Sequence, residues 1–326
     1  MADDFGYLGA RVRSRRGELL PESFFTEALS VGFSDYLRML AETPYGAYLT
    51  GEALADVDRA VSELFRRRVA DLEGLASGEA REALRLLFLR ADLANVKAIL
   101  RAKATGRPAE EVRARLLGGS LPEPVLAALL EAGDAAGMAQ ALVLPGHPLA
   151  RALRRAAAEA ADAFEAELLL DRYFLAELVR EAGRYGGAFA EYFKDELELT
   201  NLATAFKLAA LGGAEEPERY YVPGGRYLNR ALFARIAGGE VEAVDELQST
   251  PLAPFAGVRD LAELERRARC FLLGRAARAA TDVLGPGLVL DYVRRREWEG
   301  ARVRLLARRA YYGLPAQAVE REVTCG

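Results

Sequence analysis

The residues that could do chemistry in this chain are few and badly placed for it. There is one histidine, His147, in the stretch Leu-Pro-Gly-His-Pro. A lone imidazole in a tight turn, with no serine or cysteine near it in sequence, reads as structural or exposed rather than as a general base. Cys270 and Cys325 lack zinc-ligand spacing, and their scarcity suits a reducing compartment. The carboxylate pairs Asp3-Asp4, Glu110-Glu111 and Glu215-Glu216 fall near a terminus or in loops and read as solvated charge. The Asp-rich motifs that hold magnesium in helical terpenoid-type enzymes are missing. Gly118-Gly119, Gly224-Gly225 and Gly238-Gly239 do not extend to a phosphate-cradling loop, and none follows a predicted strand. The expectation is therefore no catalytic residue, no cofactor, no metal and no nucleotide. Three arginine clusters (Arg11, Arg13, Arg15 and Arg16; Arg66 to Arg68; Arg294 to Arg296) read first as solvated helix faces. Their second reading is a grip on an acidic partner.

What does recur at fixed spacing is a polar pattern. Three fifteen-residue segments align without gaps: DLANVKAILRAKATG from Asp92, ELTNLATAFKLAALG from Glu198 and EGARVRLLARRAYYG from Glu299. The matched columns are Asp92, Glu198 and Glu299; Asn95, Asn201 and Arg302; Arg101, Lys207 and Arg308; and Gly106, Gly212 and Gly313. Successive copies lie 106 and 101 residues apart. An independent pair, Thr43-Pro44-Tyr45 and Thr250-Pro251-Leu252, lies 207 apart, the same total. In the middle copy Leu144-Pro145 answers Pro44, and Leu121-Pro122-Glu123 answers Leu20-Pro21-Glu22. The chain has only three asparagines, and two of them share one column. A triplication of about a hundred residues follows, with domains at 1–110, 111–215 and 216–326.

The elements that must position these columns read as helices. Glu22 to Ala41 carries Pro21 at its start and is stopped by Pro44. A second helix runs from about Ala55 to Leu75, and a third from Glu79 to Lys103 with Gly106 as its cap. On that third helix, positions 92, 95, 96, 99, 100 and 103 share one face, polar at Asp92 and Asn95 and apolar beyond. The acid-and-amide pair reads as a structural registry device more readily than as a binding contact, because three domains seldom share one ligand. No run shows clean strand alternation apart from short pieces near Tyr220 to Val222, so the fold class is all-α. Three similar units packed head to tail and ending cleanly suggest closure around a pseudo-threefold axis.

Composition agrees. Of 326 residues, 51% are hydrophobic and 28% charged, enough for a core and a soluble surface. The net charge of −4 lacks the basic footprint of a nucleic-acid binder. The richness in Ala, Leu, Arg and Glu favours helix. No stretch reads as a signal peptide or a membrane span.

The sequence resembles the C subunits of bacterial and archaeal V-type (A-type) ATP synthases, counterparts of the d subunit of the eukaryotic V-ATPase, and is most like Thermus-group members. The stretches that carry the resemblance lie in all three repeats. They are Met1 to Phe5, Leu100 to Pro108, Pro145 to Leu153, Thr204 to Lys207, Gly257 to Leu261 and Leu305 to Tyr311. The resemblance implies a funnel-like helical rotor subunit of the central stalk, on the cytoplasmic side. It would join the D and F shaft proteins to the membrane proteolipid ring and transmit torque for proton- or sodium-coupled ATP synthesis or hydrolysis. It brings no catalytic residues. Arg302 departs from the asparagine of the other two copies, which puts the third registry bond in question. The alternatives are a helical-repeat scaffold of another complex and a helical enzyme with a dispersed site.

Overall fold

The computed structural model describes residues 2–113, 116–117, 119–142, 147–213 and 215–325. Among these residues the protein is 76% helix and has no strand. The alternation near Tyr220 resolves into a 3-10 turn, Pro217–Tyr220. In chain order the α-helices are α1 (Ala2–Arg16), α2 (Glu22–Ala28), α3 (Phe33–Ala41), α4 (Leu54–Leu75), α5 (Gly78–Thr105), α6 (Ala109–Arg113), α7 (Glu123–Glu131) and α8 (Ala135–Ala141). There follow α9 (Pro148–Glu159), α10 (Ala163–Ala182), α11 (Gly187–Ala210), α12 (Arg230–Ala237), α13 (Leu261–Ala279), α14 (Gly287–Tyr312) and α15 (Glu320–Val323). The chain divides into two compact units. One is Met1–Leu87 with Ala276–Gly326, and the other is Phe88–Arg275.

In the first unit α14 is the central helix. Its apolar positions Val303, Leu306, Ala307 and Ala310 join Phe24, Phe25, Tyr36, Leu40, Val57, Val61 and Leu64 in one core. The helix expected over Glu22 to Ala41 is two helices, because Leu29 to Gly32 interrupt it and Gly32, in extended conformation, caps α3. The N-terminal segment, read only as charged, is helix α1. Phe5, Leu8 and Val12, three and four residues apart, are its buried face.

In the second unit α5 and α11 are the long central helices. Val96, Ile99 and Leu100 of α5 are buried, as their shared face requires. Around α11, Leu199, Leu202, Ala205 and Phe206 pack with Leu232, Phe233 and Ile236 of α12 and with Leu247, Phe255 and Leu264 further on.

The three central helices end alike. Gly106, Gly212 and Gly313 take φ of +67°, +91° and +63°, a left-handed turn that glycine adopts without a Cβ penalty. The next residue then donates its N–H five residues back: Arg107 to Ala102 (2.9 Å), Gly213 to Leu208 (2.9 Å) and Leu314 to Arg309 (3.0 Å). This is the Schellman cap, which satisfies carbonyls a bare helix end leaves open.

Candidate functional site

Asp92 of α5 is fully buried and receives the N–H and hydroxyl of Ser120 (3.1 and 2.5 Å) and the N–H of Leu121 (3.1 Å). Glu198 of α11, equally buried, receives the N–H groups of Arg226, Tyr227 (2.6 Å) and Leu228 (3.1 Å). Each carboxylate thus collects the N–H groups of a loop entering a short helix further along the chain, α7 or α12. Its lone pairs are satisfied by that loop.

One turn further on, the asparagines complete the grip. Asn95 donates to the carbonyl of Leu117 (2.9 Å) and accepts from its N–H (2.7 Å). Asn201 does the same to Val222, at 2.8 and 2.9 Å. A side-chain amide offers one donor and one acceptor group in the geometry of a peptide, so each asparagine pairs with one loop residue as a strand neighbour would. Gly119 and Gly225 permit the approach. A Cβ at Gly119 would stand 2.0 Å from Asp92 Oδ1, and one at Gly225 would stand 2.7 Å from Glu198 Cδ. In two of the three Gly-Gly steps first tested as phosphate loops, a glycine therefore serves a carboxylate of the protein itself, whereas Gly238-Gly239 meets none. Gly118 lies outside the described residues.

Glu299 of α14 is placed the same way but turns to the chain's beginning. It accepts from the N–H of Leu20 (2.6 Å), from the Tyr45 hydroxyl (2.8 Å) and from Arg296 (2.5 Å). Leu20 stands just before α2, as Leu121 stands before α7 and Leu228 before α12. Burial, reinforced by the Glu299 charge, pushes the Tyr45 phenol far above its ordinary range. Burial alone would depress Arg296, yet Glu299 beside it raises it further. Arg302 cannot copy asparagine, because guanidinium has no acceptor. It instead holds the Glu22 carboxylate (2.7 to 3.0 Å) and lies 3.5 Å over the Phe25 ring.

The basic column also has one role in three places. Arg101 pairs with Glu167 (2.8 Å), Lys207 with Glu265 (3.1 Å) and Arg308 with Asp58 (2.9 Å). Each acid is the fifth residue of a long helix, α10, α13 or α4. The structure thus brings together each central helix with the loop and long helix it holds. For α14 these are the elements at the start of the chain.

Other sequence expectations need correction. The arginine clusters are only partly solvated faces: Arg11, Arg13, Arg66, Arg67 and Arg295 are exposed, Arg15, Arg16 and Arg68 half-buried. Arg294 and Arg296 are buried, Arg295 and Arg16 both reach the fully buried Asp291 (2.9 and 2.5 Å), and Arg68 reaches Glu18 (2.5 Å). Helix period brings some of these arginines onto the packed face, where acids one turn away on the same helix (Asp291, Glu297, Glu299) and tertiary neighbours (Glu18) pair with them. Neither cysteine is a free thiol, so the reducing compartment inferred from them loses that support. His147 precedes Pro148 at the start of α9, and the residues before it in the expected turn, with Leu144-Pro145, lie outside the described residues. The pairs Glu110-Glu111 and Glu215-Glu216 are exposed.

This arrangement defines a class: a helical protein built on a repeat whose recurring polar groups hold its own loops. The family model for the ATP synthase (C/AC39) subunit matches residues 8–322. The C subunit of the V-type ATP synthase of Thermus thermophilus is 53% identical over the whole of both chains. That of Deinococcus radiodurans is 32% identical over 99% of this chain and 92% of its own. The C subunit of the A-type ATP synthase of Haloferax volcanii is 24% identical over 97% and 96%. The chain belongs to this family of V- and A-type ATP synthase C subunits. Among the described residues no helix is long and apolar enough to cross a membrane.

Proposed function

We propose that the protein is a rotor subunit of the central stalk. It is a spacer that joins the D–F shaft to the membrane proteolipid ring on the cytoplasmic side and passes torque between them without chemistry of its own. The observation that carries this reading is the family match along nearly the whole chain, since a spacer needs all of its body. The three stations support it mechanically. Each ties a long helix to a loop through buried hydrogen bonds, which resist shear better than apolar contact alone, and to a second long helix through an ion pair at the surface. In this reading the repeats at 1–110, 111–215 and 216–326 form a pseudo-threefold, funnel-like body. The hold of α14 on the chain's first loop favours closure over an open array.

The test is reconstitution. Membrane sector washed free of the chain should retain D–F only after the chain is added back, and the isolated chain should neither bind nor hydrolyse ATP. D–F retained equally well without the chain, or hydrolysis that tracks its concentration, would refute the proposal.

A further inference from the structure

Within the second unit, α5, α10, α11 and the 3-10 turn Pro217–Tyr220 enclose an open cleft of ≈ 520 Å³. Its rim carries five cations from three different elements: Arg90, Lys97 and Arg101, Arg172, and Arg219. One carboxylate, Asp171, lines it with them. Four of the cations are braced by acids: Arg90 by Glu196 (2.8 Å), Lys97 by Asp171 (2.5 Å), Arg101 by Glu167 (2.8 Å) and Arg219 by Glu165 (3.0 Å). Arg172 pairs with no carboxylate among the described residues. The floor is apolar, formed by Leu93, Leu168, Leu175 and Val222. Thr200 and Thr204 give their hydroxyl protons to helix carbonyls, and the Thr200 oxygen also accepts from Arg90 (3.5 Å).

We propose that this cleft docks an acidic, partly apolar segment of a partner chain, which seats an apolar side chain on the leucine floor and sets its carboxylates against Arg172 and Arg219. The proposal rests on the reading of the protein as a subunit of a larger complex. Two features choose the occupant. Cations held in place by neighbouring acids cost little further ordering when an anion arrives, and Arg172 is the one with no anion among the described residues. A free phosphate would engage the rim and leave the floor wet, whereas a peptide bearing both chemistries covers rim and floor together.

The experiment places a photo-crosslinking amino acid at Ala94, an exposed residue of the cleft, in the assembled ATP synthase, and identifies the attached peptide by mass spectrometry. The expected product is one segment of one partner subunit containing at least two carboxylates and an apolar residue. The double variant Arg172→Glu/Arg219→Glu should cut its yield about tenfold, while Arg172→Lys keeps it and circular dichroism shows both folded. Presence of the chain in the purified complex is scored first. Its absence sinks the stalk reading and this proposal together. Presence with no cross-link, a cross-link to lipid or to a basic segment, or a yield indifferent to charge reversal overturns this proposal alone.

Discussion

Glu198 and Asp92 are carboxylates removed from water to receive the N–H groups of a loop, so their worth depends on how closely the loop can come. Gly225→Ala inserts a Cβ 2.7 Å from Glu198 Cδ, and either the loop or the acid must retreat. The expected loss is about 2–4 kcal/mol, the cost of stranding a buried charge and one or two N–H groups. Urea unfolding measures it, and a loss under about 0.5 kcal/mol would show that the loop yields freely. Asp92 adds a dependence on pH. Burial raises its carboxyl above the ordinary value despite the hydrogen bonds from Ser120 and Leu121. The folded state therefore holds this proton more firmly than the unfolded one. That contribution is complete below the unfolded pKa and is lost as pH rises through the folded one. The stability of the wild type relative to Asp92→Asn should fall as pH rises from about 3 to 7, and a constant or growing advantage would contradict it. These columns were legible in the sequence because asparagine is so scarce here. Their partners were not legible, since the held loops lie 21 to 30 residues along the chain and nothing local marks which glycine faces which acid.

At the scale of elements, the glycine caps were legible because a left-handed helix end selects glycine. Gly313→Ala, at φ +63°, should cost about 1 kcal/mol in thermal unfolding. A change of no more than about 0.2 kcal/mol would mean that the cap relaxes. The split between α2 and α3, and helix α1 itself, were not legible. One depends on a four-residue interruption inside an otherwise helical pattern, and the other on α14, near the far end of the chain, packing against it. The pairing of α14 with α2 and α4 was equally hidden, because the repeat in sequence places α14 at the end of its unit. Arg302 shows why that copy differs. Its neighbours are Glu22 and Phe25 of α2, which suit a cation, beside the Val323 carbonyl, which lies 3.5 Å from the guanidinium. Arg302→Asn restores the residue of the other copies, yet it should destabilise by about 1–3 kcal/mol through the lost ion pair and ring contact. A neutral or stabilising result would mean that asparagine can recover the loop-pairing role there.

At the scale of the whole molecule, composition sets how the proposed stalk spacer would hold its partners. Exposed large apolar side chains are few and include Leu211, Leu284, Tyr311 and Tyr312, while charged residues make up 28% of the chain. A protein made before it is assembled must avoid broad apolar patches, so its ends are expected to dock through charge and hydrogen bonds. Many surface arginines are already paired with neighbouring acids, as in Arg259 with Asp245 and Arg180 with Glu177. A partner must therefore compete with these internal pairs or join them. Such docking weakens with salt, because exposed charges are screened beyond about 10 Å at 0.1 M, whereas buried stations such as Asp92 with Leu121 are shielded from it. Raising salt should accordingly loosen the proposed grip on the D–F shaft by about tenfold or more while leaving the unfolding midpoint of the isolated chain nearly unchanged. Binding isotherms and thermal melts over one salt series test both halves. Affinity indifferent to salt would make the contact apolar and end the electrostatic account, and a melting point falling in step with affinity would locate the salt effect inside the protein instead of at its ends.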